Sequence, residues 1–148
     1  MRIQNYINGK FVDPIGNGWL DNYEPARGVV YSEIPDSTEG DVARAIDAAE
    51  GAFESWSKLS LEKRHGYLMK ISTLIDERRD EFAAAESRDN GKPLTLATNV
   101  DIPRASSNFR FYATAAMQFA SESHPMAGHA ITISADENKS IINPPAFI

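Results

Sequence analysis

Two stretches decide how the middle of the chain folds, Glu86-Ser-Arg-Asp-Asn-Gly-Lys-Pro-Leu94 and Asp101-Ile-Pro-Arg-Ala-Ser-Ser-Asn-Phe-Arg-Phe-Tyr-Ala113. The first ends a helix, because Gly91 suits the left-handed position after a helix C-terminus and Pro93 disfavours continuation. The second predicts a new helix, with Asp101 as its N-cap and a proline in its first turn. The apolar face expected for this helix consists of Ala105, Phe109, Tyr112, Ala116 and Phe119.

Two further helices are predicted upstream. Asp36-Ser-Thr38 offers N-caps for a helix that begins near Glu39 and buries one apolar stripe. Ser60 can cap a second helix, which either continues or breaks and restarts before Asp89, with Arg78-Arg-Asp80 in solvent. The apolar stripe of the first is Val42, Ile46, Ala49 and Phe53, and that of the second is Leu61, Leu68, Ile71, Leu74, Ile75 and Phe82.

Strands are predicted at both ends of the chain. Asn8-Gly9 favours a type I′ turn, so the residues on either side should pair as an N-terminal hairpin. The β-branched and aromatic stretch 29–34 predicts a second extended segment that stops at a proline. Near the C-terminus, 131–133 and 140–142 predict a closing hairpin around Asp136-Glu-Asn138.

Composition restricts the function. A chain of 148 residues with 42% hydrophobic content suits one domain with a core. The net charge of -6 gives no basic footprint for nucleic acid or for an anionic membrane. An N-terminus without a signal peptide and the lack of a long apolar run predict a cytoplasmic protein. The absence of cysteine excludes disulfides, thiolate metal sites and a cysteine nucleophile from these residues.

The other candidate motifs of the sequence have structural explanations. Gly16-Asn-Gly-Trp-Leu-Asp21 lacks the third small residue of a dinucleotide fingerprint, and neither Gly9-Lys10 nor Gly91-Lys92 has the upstream glycine of a P-loop. The imidazoles show no metal-binding spacing, and His124 and His129 are expected in a solvated loop. The serines show no nucleophile-elbow motif, which disfavours a hydrolase.

The chain resembles the N-terminal region of the NAD(P)-dependent aldehyde dehydrogenase superfamily over almost its whole length. Asp101-Ile-Pro-Arg104 followed by Asn108-Phe-Arg-Phe-Tyr112 looks most like the muconic semialdehyde dehydrogenase branch. The match weakens after Ile141, which suggests a truncated subunit. The matching segments are Tyr6 to Phe11, Asn22 to Pro25 with Gly28, Asp41 to Ala49 with Phe53 and Trp56, Glu86 to Leu94 and Asp101 to Ala113, in this order and spacing.

The resemblance implies an α/β subunit with a Rossmann-like cofactor domain, a catalytic domain and an oligomerisation hairpin. Residues 1–148 should then be a truncated α+β piece with an N-terminal hairpin, three to four helices and a C-terminal hairpin. Such enzymes attack the aldehyde with a cysteine thiolate and pass a hydride to NAD(P). Because these catalytic and dinucleotide-binding positions lie downstream in the family, the resemblance implies that residues 1–148 alone hold no cofactor and oxidise no aldehyde.

One family feature implied within this chain is a structural monovalent-cation site. Asn22 and Tyr23 occupy the places that supply backbone carbonyls, and Asp101 that of the acidic side chain. The alternative is that Asp101 serves only as a helix cap.

The sequence is therefore consistent with two functions. The first is a fragment of an aldehyde dehydrogenase that is inactive alone and exposes apolar surface, with oligomerisation as the result. The alternative is a non-catalytic oligomerisation or interaction module that pairs with itself or with a full-length subunit. An unrelated small enzyme on the same scaffold has no catalytic constellation to support it.

Overall fold

The computed structural model describes residues 1–118, 122–126, 129–133 and 140–141. It contains two compact units, Met1–Glu54 with Arg78–Pro103, and Ser55–Glu77 with Arg104–Ile148. Within the described residues no helix is both long and apolar enough to cross a membrane. In chain order the elements are β1 (Asn5–Ile7), β2 (Lys10–Val12), β3 (Trp19–Glu24), β4 (Val29–Pro35), α1 (Glu39–Ser57), α2 (Leu61–Glu77), α3 (Arg79–Asn90), α4 (Leu94–Leu96), a π-helical turn (Ala97–Asp101), α5 (Ile102–Gln118), β5 (Glu122–Met126), β6 (His129–Ile133) and β7 (Ser140–Ile141).

The N-terminal part of the first unit consists of two antiparallel hairpins. In β1–β2, Tyr6 pairs with Phe11, and Asn8 and Gly9 have φ values of 51° and 75°, which confirms the predicted turn. β4 confirms the predicted second extended segment, and its partner β3 was missed in the sequence. The β3–β4 ladder shifts register between Asn22 and Tyr23, as at a β-bulge.

The start of α1 is fixed by the Asp41 carboxylate, which accepts hydrogen bonds from Thr38. Thr38 precedes the helix, and both its backbone N–H and its hydroxyl donate to Asp41 Oδ2, at 2.9 and 3.0 Å. The same carboxylate accepts the backbone N–H of Ile15 at 3.1 Å, so the cap also ties α1 to the chain before β3. Asp41 is only 2% exposed, and these donors, the Thr38 N–H first, lower its pKa.

The buried face of α1 differs from the prediction. The stripe Val42, Ile46, Ala49 and Phe53, termed here the apolar α1 face, is exposed, with 54%, 52% and 59% exposure at Val42, Ile46 and Phe53. Asp41 at the start of the helix is buried instead, and Ala48 on the same side is half-buried. The prediction that this stripe is buried is therefore wrong for these residues, because the described part of the chain leaves it largely uncovered.

Helices α2 and α3 begin and end close to the predicted residues. The Ser60 hydroxyl accepts the Lys63 N–H at 3.4 Å, which confirms its role as N-cap of α2. The break between α2 and α3 falls at Arg78, whose φ of -108° and ψ of 24° leave helical geometry. Gly91 ends α3 with φ 78°, in the predicted left-handed conformation.

The next helix begins earlier than predicted. Helical backbone starts at Leu94 and passes without interruption through the π-helical turn into α5. Asp101 therefore lies within helical backbone, and the prediction that it caps a helix is wrong. Its side chain is used differently, as described below.

The second unit is organised around contacts between α2 and α5. The hydroxyls of Ser72 and Ser106 lie 2.9 Å apart, and both residues are buried. Arg110 also donates to Asp76 at 2.9 Å. The contact face of α5 contains Ser106 and the buried Ala113, whereas Tyr112, predicted on the apolar face, is 65% exposed. Phe119, the last residue of that predicted face, lies outside the described residues.

The C-terminal strands form a three-stranded antiparallel sheet in the order β5, β6, β7. Thr132 pairs with Ile141 and Ile133 with Ser140, which confirms the closing hairpin. β5 is an additional strand that the sequence did not predict. The turn around Asp136-Glu-Asn138 and the C-terminal residues from 142 onward lie outside the described residues. The α+β piece is thus confirmed, while the Rossmann-like cofactor domain stays a prediction.

Candidate functional site

The densest polar cluster of the first unit lies where α3 ends beside the β3–β4 hairpin. Tyr31 Oη donates to Asp89 Oδ1 at 2.7 Å, and Asn22 Nδ2 lies 3.1 Å from the same oxygen. The Asn22 amide also lies 3.0 Å from Tyr31 Oη and 3.2 Å from Ser32 Oγ. The Tyr31 hydroxyl lowers the pKa of Asp89, and this hydrogen bond raises the pKa of Tyr31 in return. The contacts tie α3 to both strands.

Two arginines form the outer part of this cluster. Arg27 and Arg88 each place a nitrogen 3.7 Å from Glu24 Oε2, and the Glu24 side chain is 15% exposed. The Arg88 guanidinium also lies 5.4 Å from the centre of the Tyr31 ring. A mostly enclosed carboxylate thus faces two guanidinium groups.

The turn after α3 is held by its own backbone and side chains. The Gly91 N–H donates to the Ser87 carbonyl, and Ser87 Oγ donates to the Lys92 carbonyl at 2.7 Å. Asn90 Oδ1 accepts the Lys92 N–H at 3.0 Å. A Cβ added at Gly91 would lie 3.1 Å from Pro25 Cβ, a tight contact, so space favours glycine here in addition to the positive φ.

This turn directs the Lys92 ammonium at two carboxylates. Nζ lies 2.8 Å from Asp101 Oδ2 and 3.2 Å from Glu86 Oε1. The Lys92 and Asp101 side chains are 28% and 29% exposed. Asp101 first, and Glu86 second, raise the pKa of Lys92.

The residues of the predicted cation site are engaged in different contacts. The Asn22 amide bonds to Tyr31, Ser32 and Asp89, whereas Asp101 bonds to Lys92. Tyr23 pairs with Val30 in the ladder, and its side chain is 53% exposed. The cation site at Asn22, Tyr23 and Asp101 stays a prediction. Sequence reasoning missed Tyr31, Asp89 and Lys92; the signal available for Lys92 was its position directly after the helix-ending Gly91.

The glycine patterns do not fit a dinucleotide. Gly16 and Gly18 precede strand β3 rather than a helix, so their N–H groups cannot form the phosphate-binding start of a helix. Gly9-Lys10 belongs to the β1–β2 turn, and Gly91-Lys92 follows a helix end, where carbonyls rather than N–H groups are free. His124 and His129 lie on β5 and β6 rather than in the predicted loop. In the described part of the chain, no three His, Asp or Glu side chains gather to hold a metal.

Comparison with known proteins identifies the family to which this sequence is similar. The model of the aldehyde dehydrogenase family matches residues 11–141. The 2-aminomuconic semialdehyde dehydrogenase of Danio rerio is 43% identical over 124 residues, which are 84% of this chain and 25% of that protein. The Bos taurus enzyme of the same name is 39% identical over 122 residues, covering 82% of this chain and 25% of the relative. The chain thus spans about a quarter of the length of these relatives.

Solved structures agree with the sequence comparison. PnpE in complex with nicotinamide adenine dinucleotide superposes with a TM-score of 0.81 at 32% identity, covering 85% of this chain and 26% of that one. The NAD+ complex of aldehyde dehydrogenase from Bacillus cereus gives 0.83 at 32% identity, covering 89% and 28%. The resemblance to the muconic semialdehyde dehydrogenase branch is confirmed by the relatives. The chain belongs to the aldehyde dehydrogenase family.

Proposed function

We propose that residues 1–148 are the N-terminal section of an NAD(P)-dependent aldehyde dehydrogenase and do not oxidise aldehydes by themselves. The observation that carries this proposal is the match to the N-terminal region of the 2-aminomuconic semialdehyde dehydrogenases. The names of these relatives favour the semialdehyde of an unsaturated dicarboxylic acid as the substrate of the whole enzyme. NAD(P) is its proposed cofactor.

The composition and the turn geometry of these residues support the proposal that residues outside this section carry out catalysis. These 148 residues contain no cysteine, so they offer no thiolate to attack an aldehyde. The glycine-containing turns at residues 9–10, 16–18 and 91–92 do not form a phosphate-binding helix start. The role proposed for this section is structural, with helices and hairpins that support a site formed elsewhere in the subunit.

The exposed apolar surface also supports an incomplete subunit. The apolar α1 face continues toward the first hairpin, because Val42 and Tyr6 line the same shallow groove of about 170 Å³. Tyr6 and Phe11 are 66% and 70% exposed, with their ring centres 5.1 Å apart. Exposed apolar side chains gathered on neighbouring elements mark contact with another part of a protein. We assign that contact to the remainder of the subunit.

Activity measurements on two proteins test the proposal. The 148-residue chain should reduce neither NAD nor NADP in the presence of an unsaturated semialdehyde. A fusion of residues 1–118 to the remaining three quarters of the Danio rerio relative should reduce the cofactor, and the same fusion without its catalytic cysteine is the control. Cofactor reduction by the isolated chain would contradict the proposal.

The second candidate is a non-catalytic assembly module. The exposed Tyr6 and Phe11 favour it, as do the edges of the two-stranded sheets apart from Glu33, which pairs with residues 1–3, since a free edge pairs readily with another strand. In this function the chain forms homo-oligomers or joins a full-length subunit. Mixing it with a full-length homologue and measuring mass by native mass spectrometry should give a mixed oligomer. The module function fails if the chain neither mixes nor self-associates.

A further inference from the structure

The Asp101 carboxylate already has a cation supplied by the chain. Lys92 Nζ lies 2.8 Å from its Oδ2, a short charge-assisted hydrogen bond. Both side chains are more than two-thirds enclosed, which limits screening of the pair by water. A sodium or potassium ion bound to the same oxygen would be repelled by the ammonium beside it. The side chains present therefore do not fit a free monovalent cation at Asp101.

The position of Lys92 is fixed by the turn that carries it. Its carbonyl accepts from Ser87 Oγ at 2.7 Å, and its N–H donates to Asn90 Oδ1 at 3.0 Å. The left-handed Gly91 directs the chain into this position against Pro25. Glu86 lies one turn before Asn90 on α3. Its Oε1 accepts from Lys92 Nζ at 3.2 Å and from Asn90 Nδ2 at 2.7 Å. The ammonium is therefore held between the end of α3 and the π-helical turn.

We propose that the Lys92 ammonium is the built-in counter-ion of Asp101 and takes the place of a free monovalent cation there. It joins two carboxylates on separate helical segments, as a bound ion would. Like any lysine ammonium, it carries a positive charge at neutral pH. The stability of the first unit then does not depend on sodium or potassium. This proposal is independent of the proposed function.

Cation-dependent unfolding tests the proposal on the full 148-residue chain. Thermal midpoints are measured in NaCl, KCl and choline chloride at equal ionic strength, because choline is too large to enter a protein oxygen site. The native chain should give the same midpoint in all three salts. Lys92→Met should melt lower in choline and regain about 3 °C in sodium or potassium at ten times the dissociation constant.

Two matched variants separate the role of the charge from that of the fold. Lys92→Arg keeps the positive charge and should stay independent of the cation. Lys92→Met combined with Asp101→Asn removes the carboxylate and should lose the response to sodium and potassium. The proposal is overturned if the native chain is stabilised by sodium or potassium and Asp101→Asn abolishes that effect. It is also overturned if folded Lys92→Met does not respond to either ion.

A second measurement does not require the lysine variant to fold. The sodium NMR line width is followed as the native chain and its Asp101→Asn variant are titrated into NaCl. The proposal predicts the same line width for both proteins. Broadening by the native chain that disappears in Asp101→Asn would show a free sodium ion at this carboxylate and contradict the proposal.

Discussion

The end of α3 and the apolar α1 face lie in the same unit and differ in how far the chain completes its own contacts. At the end of α3, Asp89 and Lys92 are paired with side chains of neighbouring segments. On α1, Ile46 and Phe53 are more than half exposed although the helix is amphipathic. The polar groups at the end of α3 are thus paired within the chain, whereas the apolar α1 face is left uncovered; we propose that the rest of the subunit covers it.

The largest loss of stability should come from the cap that positions α1. Asp41→Ala removes the acceptor of the Thr38 and Ile15 N–H groups, which are then left without a charged partner. We expect a larger fall in the urea midpoint than for any variant described below. Asp80→Ala, at an exposed position in the first turn of α3, is the control and should change the midpoint far less.

The pH dependence of stability should reflect the ionisation of the Asp41 carboxylate. Because folding lowers the pKa of Asp41, its contribution is present above its ordinary value of 3.8 and is lost as the pH falls through the folded-state value. Asp41→Asn should therefore flatten the decline of the urea midpoint in this acidic range. Part of the decline should remain, since Asp89 also has a lowered pKa. An unchanged acid profile would rule out this role of Asp41.

Replacing Gly91 should weaken the end of α3. Gly91→Ala places a Cβ at φ 78° and 3.1 Å from Pro25 Cβ, and should destabilise the chain by about 1–2 kcal/mol. Gly66→Ala is the matched control, because Gly66 lies within α2 with nothing within 4 Å of the added Cβ. That change should stabilise by about 0.5–1 kcal/mol. Equal effects of the two alanines on the urea midpoint would contradict the account of this turn.

The buried serine pair of the second unit should respond unequally to alanine. Ser106 Oγ also lies 3.2 Å from the Ser72 carbonyl, so Ser106 can donate there while accepting from Ser72. Ser106→Ala leaves the Ser72 hydroxyl without this acceptor and should cost about 1–3 kcal/mol, against about 1 kcal/mol for Ser72→Ala. The double variant should recover part of the loss. Chemical denaturation of all three variants measures the order.

The smallest effect on the isolated chain should come from the apolar α1 face. Ile46→Gln changes an exposed side chain and should alter the free energy of unfolding by less than about 0.5 kcal/mol. The same change should reduce the binding of a hydrophobic dye and weaken self-association. A loss of several kcal/mol in the isolated chain would mean that Ile46 is already buried there.

Local signals predicted the elements that depend on few neighbours. The Asn8-Gly9 turn, the caps at Thr38 and Ser60 and the stop at Gly91 all follow from the conformations that these residues favour. β3 was missed because its sequence, Trp19-Leu-Asp-Asn-Tyr-Glu24, contains residues that are depleted in strands and gains its strand character by pairing with β4.

The rotation of α1 and the cluster at the end of α3 could not be read from a local pattern. Helical periodicity identifies an apolar stripe but does not say whether the chain itself covers that stripe. The Asn22–Asp89 and Tyr31–Asp89 contacts join residues far apart in sequence. Asp101 was assigned to a cap because Pro103 favours a helix start, whereas the helix begins at Leu94.

The most direct test of the central claim measures the accessibility of Ile46 in two contexts. The chain lacks cysteine, so Ile46→Cys provides one thiol, whose maleimide labelling rate is compared with the rate in urea. In the isolated chain the two rates should be similar. In the fusion to the downstream part of the Danio rerio relative, mass spectrometry of the peptide containing position 46 should show labelling slowed at least about tenfold. Equal labelling rates in the isolated chain and the fusion would contradict the claim that the rest of the subunit covers the apolar α1 face.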